Sequence, residues 1–153
     1  TMIEPEENSA ELLHRLTQLG ISLLLQEIPR LFSETASLLK QDGIPTFAHK
    51  INRSQAKVDF SQPASAVANM IRAMNPEPMA WFMYDGVPIR ILRAKEVANL
   101  QNLRPAELAT TPIVSIGFAN SSALELIEVQ PQGKRVMAAV DWARGLRNIG
   151  ELS

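Results

Sequence analysis

Lys50-Ile51-Asn52-Arg53-Ser54-Gln55-Ala56-Lys57-Val58-Asp59-Phe60-Ser61, and the run that it leads into, ending Ile71-Arg72-Ala73-Met74-Asn75-Pro76-Glu77-Pro78-Met79-Ala80-Trp81, mark the place where the chain changes character. The first part is basic. Thr46 to Gln55 carries no clear apolar period and reads as an extended linker. Ala56 to Phe60 alternates and predicts a short strand. Ser61 is the expected N-cap of a helix, with Pro63 near its first turn. Val67, Met70, Ile71 and Met74 fall on one face of that helix, and Asn75-Pro76 ends it.

Beyond Pro78 the apolar period switches to two. Ala80 to Tyr84 and Val87 to Val97 flank Asp85-Gly86, a strong signal for a two-residue hairpin. Shorter strands are expected over Glu107 to Thr110 and Ile113 to Phe118, divided by Thr111-Pro112. Ala123 to Gln130 alternates again, and Pro131-Gln132-Gly133 breaks it. Val136 to Ala143 predicts a last helix with Gly145 as its C-cap. Trp81 and Met83 share one strand face and Phe82 and Tyr84 the other, so one of these pairs is expected in the core. The expected class is α+β, mainly β: a small closed or nearly closed OB-like barrel of about five strands with flanking helices.

Ahead of Lys50 the pattern is helical. Asn8 with Glu11 three residues on has the spacing of a capping box. Leu12, Leu13, Leu16, Leu19, Leu23, Leu24, Ile28 and Leu31 then form one apolar face. Pro29 is expected to kink this helix or to restart a second one. Residues 1–45 supply no second element to cover the stripe. A partner surface elsewhere is therefore expected, and self-association through this helix is one way to provide it.

Composition bounds the rest. Of the 153 residues 46% are hydrophobic and 20% charged, the balance of an ordinary globular domain. The net charge of −1 gives no global basic field. There is no cysteine, which excludes disulfides, thiolate metal sites and a cysteine nucleophile. No apolar run approaches the roughly 18 residues of a membrane span, so no membrane partner is expected. Charge is uneven, however. Residues 1–39 are acidic, whereas Lys40, Lys50, Arg53 and Lys57 meet only Asp42 before Val58. The positive excess sits on the linker.

The Lys50–Trp81 stretch resembles the junction between the two domains of methionyl-tRNA formyltransferases. That family shows Lys-Ile-x-Lys/Arg-x-x-Ala-x-Ile/Val-Asp-Trp/Phe-Ser followed by Ile-Arg-Ala-x-Asn-Pro-x-Pro-x-Ala-Trp. Leu124-Glu125-Leu126-Ile127-Glu128-Val129-Gln130-Pro131-Gln132-Gly133-Lys134-Arg135-Val136-Met137 is similar to its last strand and Gln-Pro-x-Gly-Lys-x-x-Met turn. Asp141-Trp142-Ala143-Arg144-Gly145 matches its Asp-aromatic-x-x-Gly ending. The likeness runs from about Glu11 to Leu152. Glu77 and Met79 stand where the family often has Trp and Gly, Phe60 replaces the commoner Trp, and His49 replaces Pro or Glu. These departures touch local packing and linker shape.

The resemblance implies an organisation and a role. Residues 1–45 would be the helical tail of a missing N-terminal formyltransferase domain, 46–57 a basic linker, and 58–153 a C-terminal OB-like domain that docks tRNA. The family transfers a formyl group from 10-formyltetrahydrofolate to the amino group of methionyl initiator tRNA, in the cytoplasm. Its catalytic Asn, His and Asp lie in the N-terminal domain, and no residue here matches them. The chain alone is therefore expected to be inactive, with no catalytic residue, metal or cofactor of its own. His14 and His49 are not assigned a catalytic role.

Phosphates call for Lys and Arg. Lys50 and Arg53 match basic positions of the family's linker, and Lys57 lies just beyond. A solvated loop is the bland alternative. Arg72, Arg90, Arg93 and Lys95 form a second group. The odd spacing of Arg90 and Arg93 puts them on opposite strand faces unless a bulge intervenes, so Arg93 and Lys95 are the expected phosphate-facing pair. Lys134 and Arg135 follow a turn glycine and complete the RNA-binding candidates. Arg144 and Arg147 complement a helix C-terminus and need no further role. Two other functions fit the same residues: the C-terminal domain of a sugar-nucleotide formyltransferase or folate dehydrogenase, or a non-catalytic protein-interaction domain using the Leu-rich helix.

Overall fold

The computed structural model describes residues 1–33, 35, 37, 39–99, 102–146 and 152–153. The chain divides into two compact units, Thr1–Lys50 and Ile51–Ser153. Arg147 lies outside the described residues.

The first unit is built on α1, Ser9–Phe32. Its capping box forms as the sequence predicts. The Asn8 side chain accepts from the Glu11 N–H, and Glu11 accepts from the Asn8 N–H. Pro29 does not restart the helix. It lies so near the end that α1 runs on to Phe32, and the Ser33 N–H still closes on the Pro29 carbonyl at 3.0 Å. The apolar stripe is exposed: Leu19 keeps 51% and Leu23 59% of its surface, and no residue of α1 is buried. Arg15 ties the start of the unit together by donating to both carboxylate oxygens of Glu7 at 2.7 Å.

The second unit opens with a 3-10 turn, Arg53–Ala56, where an extended linker and then a strand were expected. The cause is local. Asn52 and Gln55 form a second capping box, which the sequence reading missed, and it turns the chain at once. Of the expected strand over Ala56 to Phe60, one parallel bridge from Lys57 to Trp81 remains. Helix α2, Ala64–Ala73, starts at Pro63 rather than at Ser61. The Ser61 hydroxyl donates to Asp59 instead, and the Ala64 N–H donates to the distant Ser122 Oγ at 2.8 Å.

Strands β1 (Ala80–Tyr84) and β2 (Val87–Ala98) form the predicted hairpin. Both turn residues take positive φ, Asp85 at 47° and Gly86 at 75°, as a primed turn requires. Then follow β3 (Leu108–Ala109), β4 (Ser115–Phe118), β5 (Ser122–Pro131) and β6 (Met137–Ala138). The order is β1-β2-β5-β4-β3, antiparallel throughout, with β6 beside β5. The predicted last helix is shorter than expected. Met137 and Ala138 pair with Val129 and Glu128, so α3 begins at Ala139 and ends at Arg144, capped by Gly145 as predicted.

The long β2–β5 ladder shifts register around Leu92 and again after Arg93, and such bulges tighten the right-handed coil of a sheet. The result is a curled half-barrel with flanking helices, an OB-like, mainly β α+β fold. Its inner face holds Phe82, Ile89, Ile91, Ile116, Phe118, Leu124 and Val129, all essentially without solvent contact. Helix α2 lays Ala64, Val67 and Ile71 on this face, and α3 adds Ala139 and Trp142. Trp142 meets Phe82 and Tyr84 edge-on, with centroids 6.2 and 5.3 Å apart. Phe82 and Tyr84 are thus the buried pair of β1, and Trp81 and Met83 face outward. The outer edge of β1 is paired as well: the Val58 N–H donates to the Trp81 carbonyl, and Met83 and Ser153 exchange two backbone bonds.

Candidate nucleic-acid interface

Cross-strand register sets the site. Trp81 stands opposite Arg90, and Arg90 opposite Gln130, so one row crosses β1, β2 and β5 on the outward face. The 3-10 turn is held against the end of this row. Trp81 Nε1 donates to the Arg53 carbonyl at 2.9 Å. The Arg53 guanidinium lies 5.5 Å from the centroid of the indole, and the Lys57 ammonium 5.8 Å from it. Both distances are within cation–π range. At the other end, Arg90 donates to Gln130 Oε1 at 3.3 Å, and Gln130 Nε2 donates to the Lys134 carbonyl at 3.1 Å. The Pro131–Lys134 turn is thereby fastened to the row. Between the turn and Arg53 lies a cleft of about 110 Å³ lined also by Pro88, Arg90, Gln132 and Gly133.

The expected candidates fall into distinct places. Arg53 and Lys57 meet at Trp81. Lys134 and Arg135 are exposed at the Gly133 turn, next to the same row. Lys50 is exposed and belongs to the first unit. Arg93 and Lys95 do share a face, as expected, but carboxylates stand opposite: Arg93 pairs in register with Glu128, and Lys95 Nζ lies 3.0 Å from Glu125. Arg72 sits on α2, on the core side of the sheet, and donates to Asn69 at 2.7 Å. It does not join the row.

Arg90 is the residue that sequence reasoning set aside. The bulge around Leu92 changes the alternation, so Arg90, Arg93 and Lys95 all point away from the core. Trp81 and Gln130 were also missed as parts of the site. Their contacts to Arg53 and Arg90 cross 28 and 40 residues, and only the Gln-Pro motif around Gln130 hinted at them.

Charge within the site is one-sided. Arg53, Lys57 and Arg90 make no salt bridge among the described residues, whereas Arg15, Arg30, Lys95, Arg104 and Arg144 each hold a carboxylate. Asp59, two residues after Lys57, is already engaged. It accepts from the Ser61 hydroxyl and backbone and from Gln62, and these bonds hold its carboxyl below the usual range. No group of three or more His, Asp or Glu among the described residues is placed to hold a metal, and no helix is long and apolar enough to cross a membrane.

Comparison with known proteins assigns the family. The formyl transferase C-terminal domain family matches residues 50–147. Methionyl-tRNA formyltransferase of Leifsonia xyli subsp. xyli is 38% identical over 144 residues, which cover 94% of this chain and 47% of that protein. The enzyme of the same name from Clavibacter michiganensis is 34% identical over 140 residues, covering 92% and 46%. A crystal structure of HypX from Aquifex aeolicus superposes with a TM-score of 0.67 over 89% of this chain and 26% of that one; at 13% identity this is a likeness of fold alone. The chain spans about half the length of the curated relatives it matches. Since the family match extends over well more than half of its residues, the chain belongs to the formyl transferase C-terminal domain family.

Proposed function

We propose that this chain is the C-terminal, tRNA-docking portion of a methionyl-tRNA formyltransferase. The whole enzyme would transfer a formyl group from 10-formyltetrahydrofolate to methionyl initiator tRNA in the cytoplasm, at the start of translation. Residues 1–45 would close the catalytic domain, 46–57 would form the linker, and 58–153 the docking domain. The formyl donor would bind to the catalytic domain, and no residue here takes a part in the chemistry. The observation that carries the docking role is the basic row around Trp81, whose Arg53, Lys57 and Arg90 make no salt bridge among the described residues, at the point where the linker meets the barrel. Arg53 and Lys57 lead the contact, Lys50 extends it along the linker, and Lys134 and Arg135 extend it along the turn. Arg72, Arg93 and Lys95 are secondary contacts, since each already has a partner or an acid opposite.

Electrostatic docking predicts affinity that falls linearly in log–log form with salt. Binding of the chain to initiator tRNA across a salt series, beside a variant with Lys50, Arg53 and Lys57 all changed to Ala, tests this. A steep salt dependence that flattens in the triple variant is expected. Absence of binding at low salt would refute docking by this chain. Self-association through α1 is a separate expectation, which a monomer in light scattering would refute.

A further inference from the structure

We infer that the cleft between Arg53 and Arg90 is a seat for one backbone phosphate of the docked RNA. The inference rests on the docking role proposed above and goes further by assigning the atoms that hold the strand. Two arginines, Arg53 and Arg90, line one cleft of about 110 Å³, and none of its lining residues is acidic. Like charges facing one small space repel unless an anion lies between them. Arg15, Arg30, Arg104 and Arg144 each have a carboxylate at salt-bridge distance, and these two have none among the described residues.

Both groups are held from behind by neutral partners. Arg53 is fixed through its own carbonyl, which accepts from Trp81, and through the indole face. Arg90 uses one donor on Gln130. Each guanidinium carries five N–H donors in a planar fork that suits a tetrahedral oxyanion better than an ammonium does. Gln132 and Gly133 complete the lining without adding charge, and Gly133 brings backbone there with no side chain. Lys57 shares the Trp81 indole with Arg53, and Lys134 follows Gly133 in sequence, so cations adjoin both ends of the lining and a polyanion gains more here than an isolated carboxylate.

The test measures initiator tRNA binding to the full chain over a salt series for the wild type, Arg90→Gln, Gln132→Glu and Arg144→Gln, with thermal midpoints to show that each folds. Arg90→Gln is expected to weaken binding roughly tenfold at low salt and to lower the log–log salt slope by about one. Gln132→Glu, an exposed change that sets a carboxylate in the cleft, should weaken binding without touching the fold. Arg144→Gln, paired with Asp141 outside the cleft, should bind as wild type. In ¹⁵N-labelled protein the Trp81 indole resonance should move on binding and the Trp142 resonance should not. Wild-type binding that neither Arg90→Gln nor Gln132→Glu alters would overturn the phosphate seat and leave docking intact. A wild type that does not bind at all would overturn both.

Discussion

Trp81 and Arg53 hold each other twice: the indole N–H donates to the Arg53 carbonyl at 2.9 Å, and the Arg53 guanidinium lies 5.5 Å from the centre of the same indole. Twenty-eight residues separate them, and the pair joins the linker to the first strand of the barrel. Trp81→Phe keeps an aromatic ring but removes the donor and weakens the cation–π attraction. It should cost about 1 kcal/mol of stability, read from the denaturant midpoint. It should also weaken tRNA binding, because Arg53 loses its anchor. A variant with wild-type stability and wild-type affinity would show that the pair positions nothing.

Asn75 performs a comparable task on the other side of the sheet. Its Nδ2 donates at 2.7 Å to the carbonyl of Leu92, the residue around which β2 shifts register. A bulge leaves backbone groups without ladder partners, and this amide supplies one. Asn75→Ala should destabilise the domain by about 1–3 kcal/mol through an unsatisfied, half-buried carbonyl. Amide exchange should accelerate first in β2 near Arg93. Uniform exchange across the sheet would argue that the bulge does not depend on Asn75.

Gly117 is required for space. A Cβ there would sit 2.7 Å from both the Cβ and the carbonyl oxygen of Leu103, and would press still harder on the carbonyl of Arg104. Two of these neighbours are backbone atoms of a segment tied to β4 by bonds from Ala106 to the Gly117 carbonyl and from Gly117 to Glu107. They cannot swing aside as a side chain would. Gly117→Ala should therefore cost about 1–3 kcal/mol, as overpacking does. A wild-type melting temperature would mean that the Leu103–Arg104 segment yields freely.

Acid should loosen the fold in part through Asp59. The Ser61 hydroxyl and N–H, with Gln62, hold its folded-state carboxyl below the unfolded value. A depressed folded value contributes stability that is complete above the unfolded value and is lost as pH falls through the folded one. Asp59→Asn cannot ionise and should flatten the acid limb of a stability–pH curve. Glu7, held down by Arg15, and Glu107, held down by Arg104, act in the same direction and leave some slope in the variant. An unchanged acid limb would remove Asp59 from this account.

The parts legible in the sequence are those fixed by neighbours in the chain. Asp85-Gly86 announces its hairpin because Asp and Gly readily take the two positive φ values of a primed turn, and Asn8 with Glu11 announces α1 by bonds three residues apart. What stayed hidden depends on distant partners. The N-terminus of α2 is capped by Ser122, 58 residues away, so Ser61 was the wrong candidate. Met137 and Ala138 are strand only because β5 lies beside them. Arg90 was lost to strict alternation, which the bulge at Leu92 breaks, and the basic row became visible only when register placed Trp81, Arg90 and Gln130 side by side.

The same row separates strong from weak RNA contacts among the candidates. Lys95 Nζ already lies 3.0 Å from Glu125, so a phosphate must displace that carboxylate before it gains the ammonium. Lys57 has the indole beneath it and no acid at salt-bridge distance among the described residues. Both side chains are exposed, so exchanging either for Gln should leave stability within about 0.5 kcal/mol. Their effects on binding should differ. Lys57→Gln should lower the log–log salt slope by about one, the mark of a lost phosphate contact, and Lys95→Gln should lower it by clearly less. A double change, Lys95→Gln with Glu125→Gln, should bind tRNA no worse than Lys95→Gln alone, because the carboxylate that competes with phosphate is removed with its partner. Equal slopes for Lys57→Gln and Lys95→Gln would show that the strand lies across the whole outward face of β2 and not along the row at Trp81.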